Sequence, residues 1–142
     1  MDKYNLQRFV EEQQQTYATA YAEISHGRKQ SHWIWWIFPQ IAGLGFSGIS
    51  QAYAIKSLDE AKAFLEHPYL GKNLREISEA LLKLDTNDPY AVMGSPDDLK
   101  LRSSMTLFAE ADPSEEIFQK VLDKFYEGVK DGKTLTILKG MG

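Results

Sequence analysis

The chain has 142 residues, with 16 lysines and arginines against 20 aspartates and glutamates, a formal net charge of −4 and no cysteine. Such a length suits a single domain, 1–142, with a core of its own. The missing cysteines exclude disulfide scaffolds, thiol catalysis and cysteine zinc sites, and the acidic balance speaks against an extended basic face for duplex nucleic acid. A small local anion site remains open. The three histidines, His26, His32 and His67, stand far apart without HExxH spacing, so neither a metal nor a cofactor is expected. Asp2, Lys3, Asn5, Gln7 and Arg8 interrupt any apolar N-terminal stretch, which argues against a secretion signal. The longest apolar run, Trp33 to Phe46, is broken by Pro39, Gln40 and two glycines and falls short of the roughly 20 residues of a membrane span. The expectation is a soluble, cytoplasmic chain without a membrane partner.

Leu6, Phe9, Val10, Gln13, Tyr17, Ala20 and Ile24 recur at steps of three and four, predicting a long first helix capped by Asn5 and ended by Gly27. Ser31 should cap a short aromatic helix that Pro39 stops. Gly43, Gly45 and Gly48 predict a sharply turning loop. Ala52 to Ile55 is the best strand candidate, so a short non-helical segment is expected near 47–56. Ser57-Leu58-Asp59-Glu60 reads as a capping box, with Glu60 returning to the Ser57 N–H. The helix it opens should end near His67, and Pro68 suits the first turn of the next, with an apolar stripe of Leu70, Leu74, Ile77, Leu81 and Leu82. Asp85 to Pro89 reads as a loop and restart. Ser95-Pro96-Asp97-Asp98 and Asp112-Pro113-Ser114-Glu115 each combine a cap, a proline and early carboxylates. Gly128 and Gly132 flank a link to a last apolar turn, Leu135 to Leu138. These signals predict a compact all-α domain of at least six helices.

All three tryptophans and two phenylalanines lie between Trp33 and Phe46. Such a run belongs at the centre of the domain and carries His32, Gln40 and indole N–H groups with it, each needing a partner. Trp33, Trp36, Ile37 and Gln40 share one helical face; Ile34, Trp35 and Phe38 share the other. Core packing accounts for most of these rings. The alternative is that Trp33 or Trp36, with Phe38 or Phe46, walls a slot for a planar base. Arg28 and Lys29 precede a helix N-terminus, where free N–H groups attract anions, and either a phosphate or plain solvent satisfies that loop. Asp98, Arg102 and Met105 share a face of a later helix, with Asp97 and Leu101 beside them. On the surface an Asp98–Arg102 pair contributes only a few tenths of a kcal/mol. In a pocket, Asp98 acts as base or electrostatic stabiliser while Arg102 grips an anion, with Lys100 among the ligand contacts. Ser47, Ser50, Gln51 and Tyr53 either cap a short helix or line the pocket mouth. No GxGxxG, Walker or GxSxG motif occurs.

The stretch His32-Trp33-Ile34-Trp35-Trp36-Ile37-Phe38-Pro39-Gln40-Ile41-Ala42-Gly43-Leu44-Gly45 resembles the bacterial family called domain of unknown function 1810. The likeness continues through Ser50 to Ile55, Glu60-Ala61, His67 to Gly71 and Asp97 to Phe108, and so covers nearly the whole chain. It implies a small all-helical fold. That family is in turn similar to the NADAR group, which implies ADP-ribose or NAD-derived ligands and cleavage of N-glycosidic bonds. Tyr53 matches that group's aromatic position and Asp98 its later aspartate, while Ser50 and Gln51 stand where its glutamate is expected.

Three functions follow. The first is an N-glycosidase-type hydrolase of an ADP-ribosyl or phosphorylated-ribosyl compound, with Asp98 stabilising the anomeric carbon and positioning water, Arg28, Lys29 and Arg102 holding phosphates, and Trp33 or Trp36 stacking the base. The second is a non-catalytic sensor of the same ligands. The third is a helical protein-interaction domain, which requires fully packed tryptophans and no cavity beside His32 or Gln40.

Overall fold

The computed structural model describes residues 2–141. Among them are nine helices, in keeping with the all-α expectation: α1 (Gln7–Ser25), α2 (Ile34–Ile37), α3 (Gly48–Ala52), α4 (Leu58–Glu66), α5 (Leu70–Leu82), α6 (Pro89–Met93), α7 (Asp97–Ala111), α8 (Ile117–Tyr126) and α9 (Gly132–Met141). None is long and apolar enough to cross a membrane.

The helix ends show where local signals yield to tertiary bonds. Asp2, not Asn5, covers the start of α1: its carboxylate accepts from the N–H groups of Leu6 and Gln7 at 2.7 and 2.8 Å. A negative side chain at these free donors is favoured by charge as well as hydrogen bonding. Ser31 does not cap α2. Its hydroxyl donates instead to Glu23, and Trp33 takes the cap position without a side-chain bond. Ser57 caps α4 as expected, accepting from the Glu60 N–H at 3.0 Å. Glu60 reaches one residue further back than a capping box requires, to the Lys56 N–H, and its other oxygen meets Arg8 at 2.8 Å. Ser95 does not cap α7; Pro96 holds that position without a side-chain hydrogen bond.

The packing centres on α7, which lies against α4, α6, α8, α9 and α2, while α5 packs on α1, α4 and α8. Phe9, Phe64, Phe108 and Phe118, one each from α1, α4, α7 and α8, run through the core with successive ring centroids 5.2, 5.4 and 5.8 Å apart. Each is fully buried, and such pairs add about 0.5–1.5 kcal/mol beyond the area they bury. A polar chain crosses beside them. Asn73 of α5 donates to Gln13 Oε1, and Gln13 Nε2 donates to the Trp36 carbonyl. That satisfies a helix-end carbonyl of α2 inside the core, where an orphan would cost about 1–3 kcal/mol.

Between α2 and α4 the chain leaves the core and returns. Ala42 N–H donates to the Ile55 carbonyl and Ile55 N–H to the Gln40 carbonyl, both at 2.8 Å, forming a parallel bridge between Ile41 and Ile55. The candidate strand at 52–55 thus amounts to one bridge after α3. The glycine-rich turn and α3 lie beyond this neck and form the wall of the site described next.

Candidate functional site

Helix α1 supplies the hydrogen-bond partners of two of the three indoles of the aromatic turn. Trp33 is 1 % exposed and donates to Glu23 Oε1 at 2.9 Å; Trp36 is 8 % exposed and donates to Thr16 Oγ1 at 2.8 Å. Phe38 is fully buried, with its centroid 6.2 Å from that of Trp33. The slot expected between Trp33 or Trp36 and Phe38 is therefore filled by the core itself. Trp35 differs. It is half-buried and stands at a cleft, and its buried Nε1–H has no hydrogen-bond partner. Lys100 Nζ lies 5.0 Å from the centroid of its ring, a cation–π contact.

The cleft has an aromatic lobe of about 370 Å³ and a basic lobe of about 500 Å³, with Gln40, Gly45 and Ser50 on the walls of both. Trp35, Ile41, Tyr53, Gln51 and Lys56 line the first. Burial and the negative charge of Glu12 raise the Tyr53 phenol above its ordinary value, so it presents a neutral hydroxyl. Gln51 also braces the loop, donating to the Phe46 carbonyl at 3.0 Å. Gly45 has to be glycine here, because a Cβ would come within 2.7 Å of Ser50 Cβ.

Lys100, Arg102, Ser103, Asp131 and Lys133 line the basic lobe. Arg102 is held through Nε to the Val129 carbonyl and Nη2 to the Lys130 carbonyl, a fixed planar cation of the kind that recognises phosphates. Asp131 begins α9. Its Oδ2 accepts from the Thr134 N–H at 3.0 Å, the Thr134 hydroxyl at 2.6 Å and the Ser103 hydroxyl at 3.2 Å. Four cations and one carboxylate thus line the cleft in a chain of net charge −4, with Lys100 also 3.6 Å from Asp97 behind the wall.

Of the residues singled out in the sequence, Gln40, Ser50, Gln51, Tyr53, Lys100 and Arg102 come together here. The others do not. Lys29, with only 6 % of its side chain exposed, pairs with Asp97 at 2.7 Å, donates to the Ser31 carbonyl and sits over Trp33; it is a structural tie, not a phosphate contact. Arg28 and His32 are exposed and outside the cleft walls. Asp98 lies off the cleft as well. Its Oδ1 accepts from the Leu99 N–H, and its carbonyl takes the Tyr126 hydroxyl. Arg102, one turn along, reaches the basic lobe while Asp98 does not, so that candidate pair is split. Trp35, Lys56, Asp131 and Lys133 are cleft residues that sequence reasoning missed. Trp35 carried one signal, as the ring on the face opposite the other two. The described residues hold no cluster of three His, Asp or Glu side chains able to bind a metal.

Comparison with known proteins gives a family without a function. The family model described as protein of unknown function (DUF1810) matches residues 3–138. The crystal structure of the conserved hypothetical protein Rv1873 from Mycobacterium tuberculosis is similar at 41 % sequence identity and a TM-score of 0.95, covering 97 % of this chain and 99 % of that one. No curated protein matches the chain.

Proposed function

The chain belongs to the DUF1810 family of proteins of unknown function, and we propose that it binds a small, flat, anionic ligand of the nucleotide class in the cleft beside Trp35. One observation carries the reading: a half-buried indole stands in a cleft with Lys56, Lys100, Arg102 and Lys133 around its two lobes, on an otherwise acidic chain. A planar ring stacks on the indole face, as bases do on aromatic platforms, and its phosphate faces the basic lobe. Lobes of this size fall in the range of small-molecule pockets. Within this class the choice of ADP-ribose-like compounds is a proposal that rests on the sequence resemblance of Tyr53 to the NADAR aromatic position. A purely structural role for the aromatic turn accounts for Trp33 and Trp36 but leaves the open cleft at Trp35 and Gln40 unexplained.

Thermal-shift titration with AMP, ADP and ADP-ribose tests this. A ligand at 100 times its dissociation constant stabilises the fold by about 2.7 kcal/mol. Trp35→Leu, or Lys100→Ala combined with Lys133→Ala, should remove that stabilisation. No shift with any of the three compounds in the wild-type chain would overturn the reading.

The hydrolytic version, cleavage of an N-glycosidic bond, needs a carboxylate at the ligand. Asp131, not Asp98, is the carboxylate on the cleft wall. Asn caps helices as well as Asp, so Asp131→Asn keeps α9 while discharging the site. Turnover lost in Asp131→Asn and kept in Asp98→Asn would mark a hydrolase acting through Asp131. A bound, uncleaved ligand after long incubation would mark a sensor.

A further inference from the structure

Leu44, Gly132 and Lys133 of the basic lobe also line a neighbouring third depression of about 640 Å³, walled further by Gly43, Phe46, Thr136 and Ile137. Phe46 is 86 % exposed, above every other exposed large hydrophobic side chain among the described residues. The backbone of Gly43 packs closely on α9: a Cβ there would come within 3.3 Å of Ile137 Cδ1. No atom outside its own helix and chain neighbours lies within 4 Å of where a Gly132 Cβ would stand, so that point of the shared wall is open space. Lys133 belongs to both lobes. Its stem can lie along the apolar wall while its ammonium stays with the anion. In the other two hollows Lys130 is paired with Glu110 at 2.6 Å and Arg75 with Glu115 at 2.7 Å, whereas in the basic lobe Lys100 meets Asp97 only at 3.6 Å and Lys133 is in no ion pair among the described residues.

We infer that the third lobe receives an apolar group attached to the phosphate end of the same ligand, which makes the ligand an organophosphate ester with a flat ring at one end and an alkyl or aryl substituent at the other. This rests on the proposed binding of a flat anion in the two inner lobes. The order of the lobes sets the order of the chemistry: indole, cations, then hydrocarbon. Large apolar side chains left in water are unremarkable singly. Here Phe46 flanks a depression that shares a wall with the proposed anion site, and an apolar substituent emerging from that site would meet it.

Binding of the methyl and hexyl monoesters of AMP, measured by isothermal titration calorimetry, tests this at constant ligand charge. In the wild-type chain the hexyl ester should bind at least about tenfold tighter, a modest return on five added methylenes. Phe46→Ser combined with Ile137→Ala should cut that gain below about threefold while leaving the methyl ester's affinity unchanged. Phe46 is exposed, so Phe46→Ser alone serves if the double variant fails to fold. Equal affinities for the two esters in the wild-type chain, or a gain that survives in the variants, would overturn the third lobe alone. Failure of AMP and of both esters to bind would overturn the reading of the inner lobes with it. Sedimentation showing a dimer of the wild-type chain that Phe46→Ser dissolves would assign the patch to a second copy and overturn the inference.

Discussion

Glu23 receives four hydrogen bonds, from the Ser31 hydroxyl, the Gln30 and Ser31 N–H groups and Trp33 Nε1. Burial alone would raise its carboxyl, but these donors outweigh it and hold the group at about 2, against an ordinary 4.5. A depressed carboxylate contributes stability that is complete above its unfolded value and fades as pH falls through the folded one. The contribution of Glu23 should therefore be intact at pH 7 and lost between about 4.5 and 2. Urea midpoints of the wild-type chain and Glu23→Gln should differ at pH 7 and converge across that window; a constant gap would show that the charge is irrelevant. The same carboxylate explains why Trp33 could not be placed from sequence. Its partner lies in another helix, and a four-residue helix has too little periodicity to fix which ring faces inward. Ser31 and Ser95 failed as caps for related reasons: Ser31 finds a better acceptor across the fold, and the Ser95 position is not the one from which α7 begins.

Helices α4, α5 and α8 were legible because each buries one stripe and exposes the other, so apolar spacing marks both the helix and its orientation. Helix α7 was legible as a helix but not as a set of faces. Leu101 and every residue from Ser103 to Ala109 are buried, so this stretch has no solvent-facing side against which Asp98 and Arg102 could be oriented. Where α4 turns into α5, His67 Nδ1 accepts from the N–H groups of Tyr69 and Leu70, which fixes the other ring nitrogen as the one that carries the proton in the neutral form. Gly71 then passes so close to α4 that a Cβ would stand 2.0 Å from the Leu65 carbonyl oxygen. Backbone cannot yield there as a side-chain tip would. Gly71→Ala should cost about 3 kcal/mol, at the upper end of ordinary overpacking, read as a lower urea midpoint. An unchanged midpoint would mean that the two helices are free to separate.

Across the whole molecule, net charge and local charge have opposite signs: the chain is acidic, while the cleft gathers Lys56, Lys100, Arg102 and Lys133. Composition reported the first and allowed the second, but no spacing rule joins positions 35, 56, 100 and 133, which only the closed fold makes neighbours. Attraction between partly exposed charges is screened over about 8 Å at physiological salt. AMP affinity should accordingly fall roughly three- to tenfold between low and high salt while adenosine binding stays level; equal salt responses would remove the phosphate from the basic lobe. The bridge between Ile41 and Ile55 has a consequence for descent. Gln40, Ala42 and Ile55 close the neck with backbone atoms, and behind it Arg8 holds the Ala52 and Ala54 carbonyls while Tyr53 packs on Phe9 and Trp36. Between these ties and the closely packed Gly43 and Gly45, residues 46–51 form the exchangeable part, where a change alters what is recognised while the helical frame beneath goes on folding.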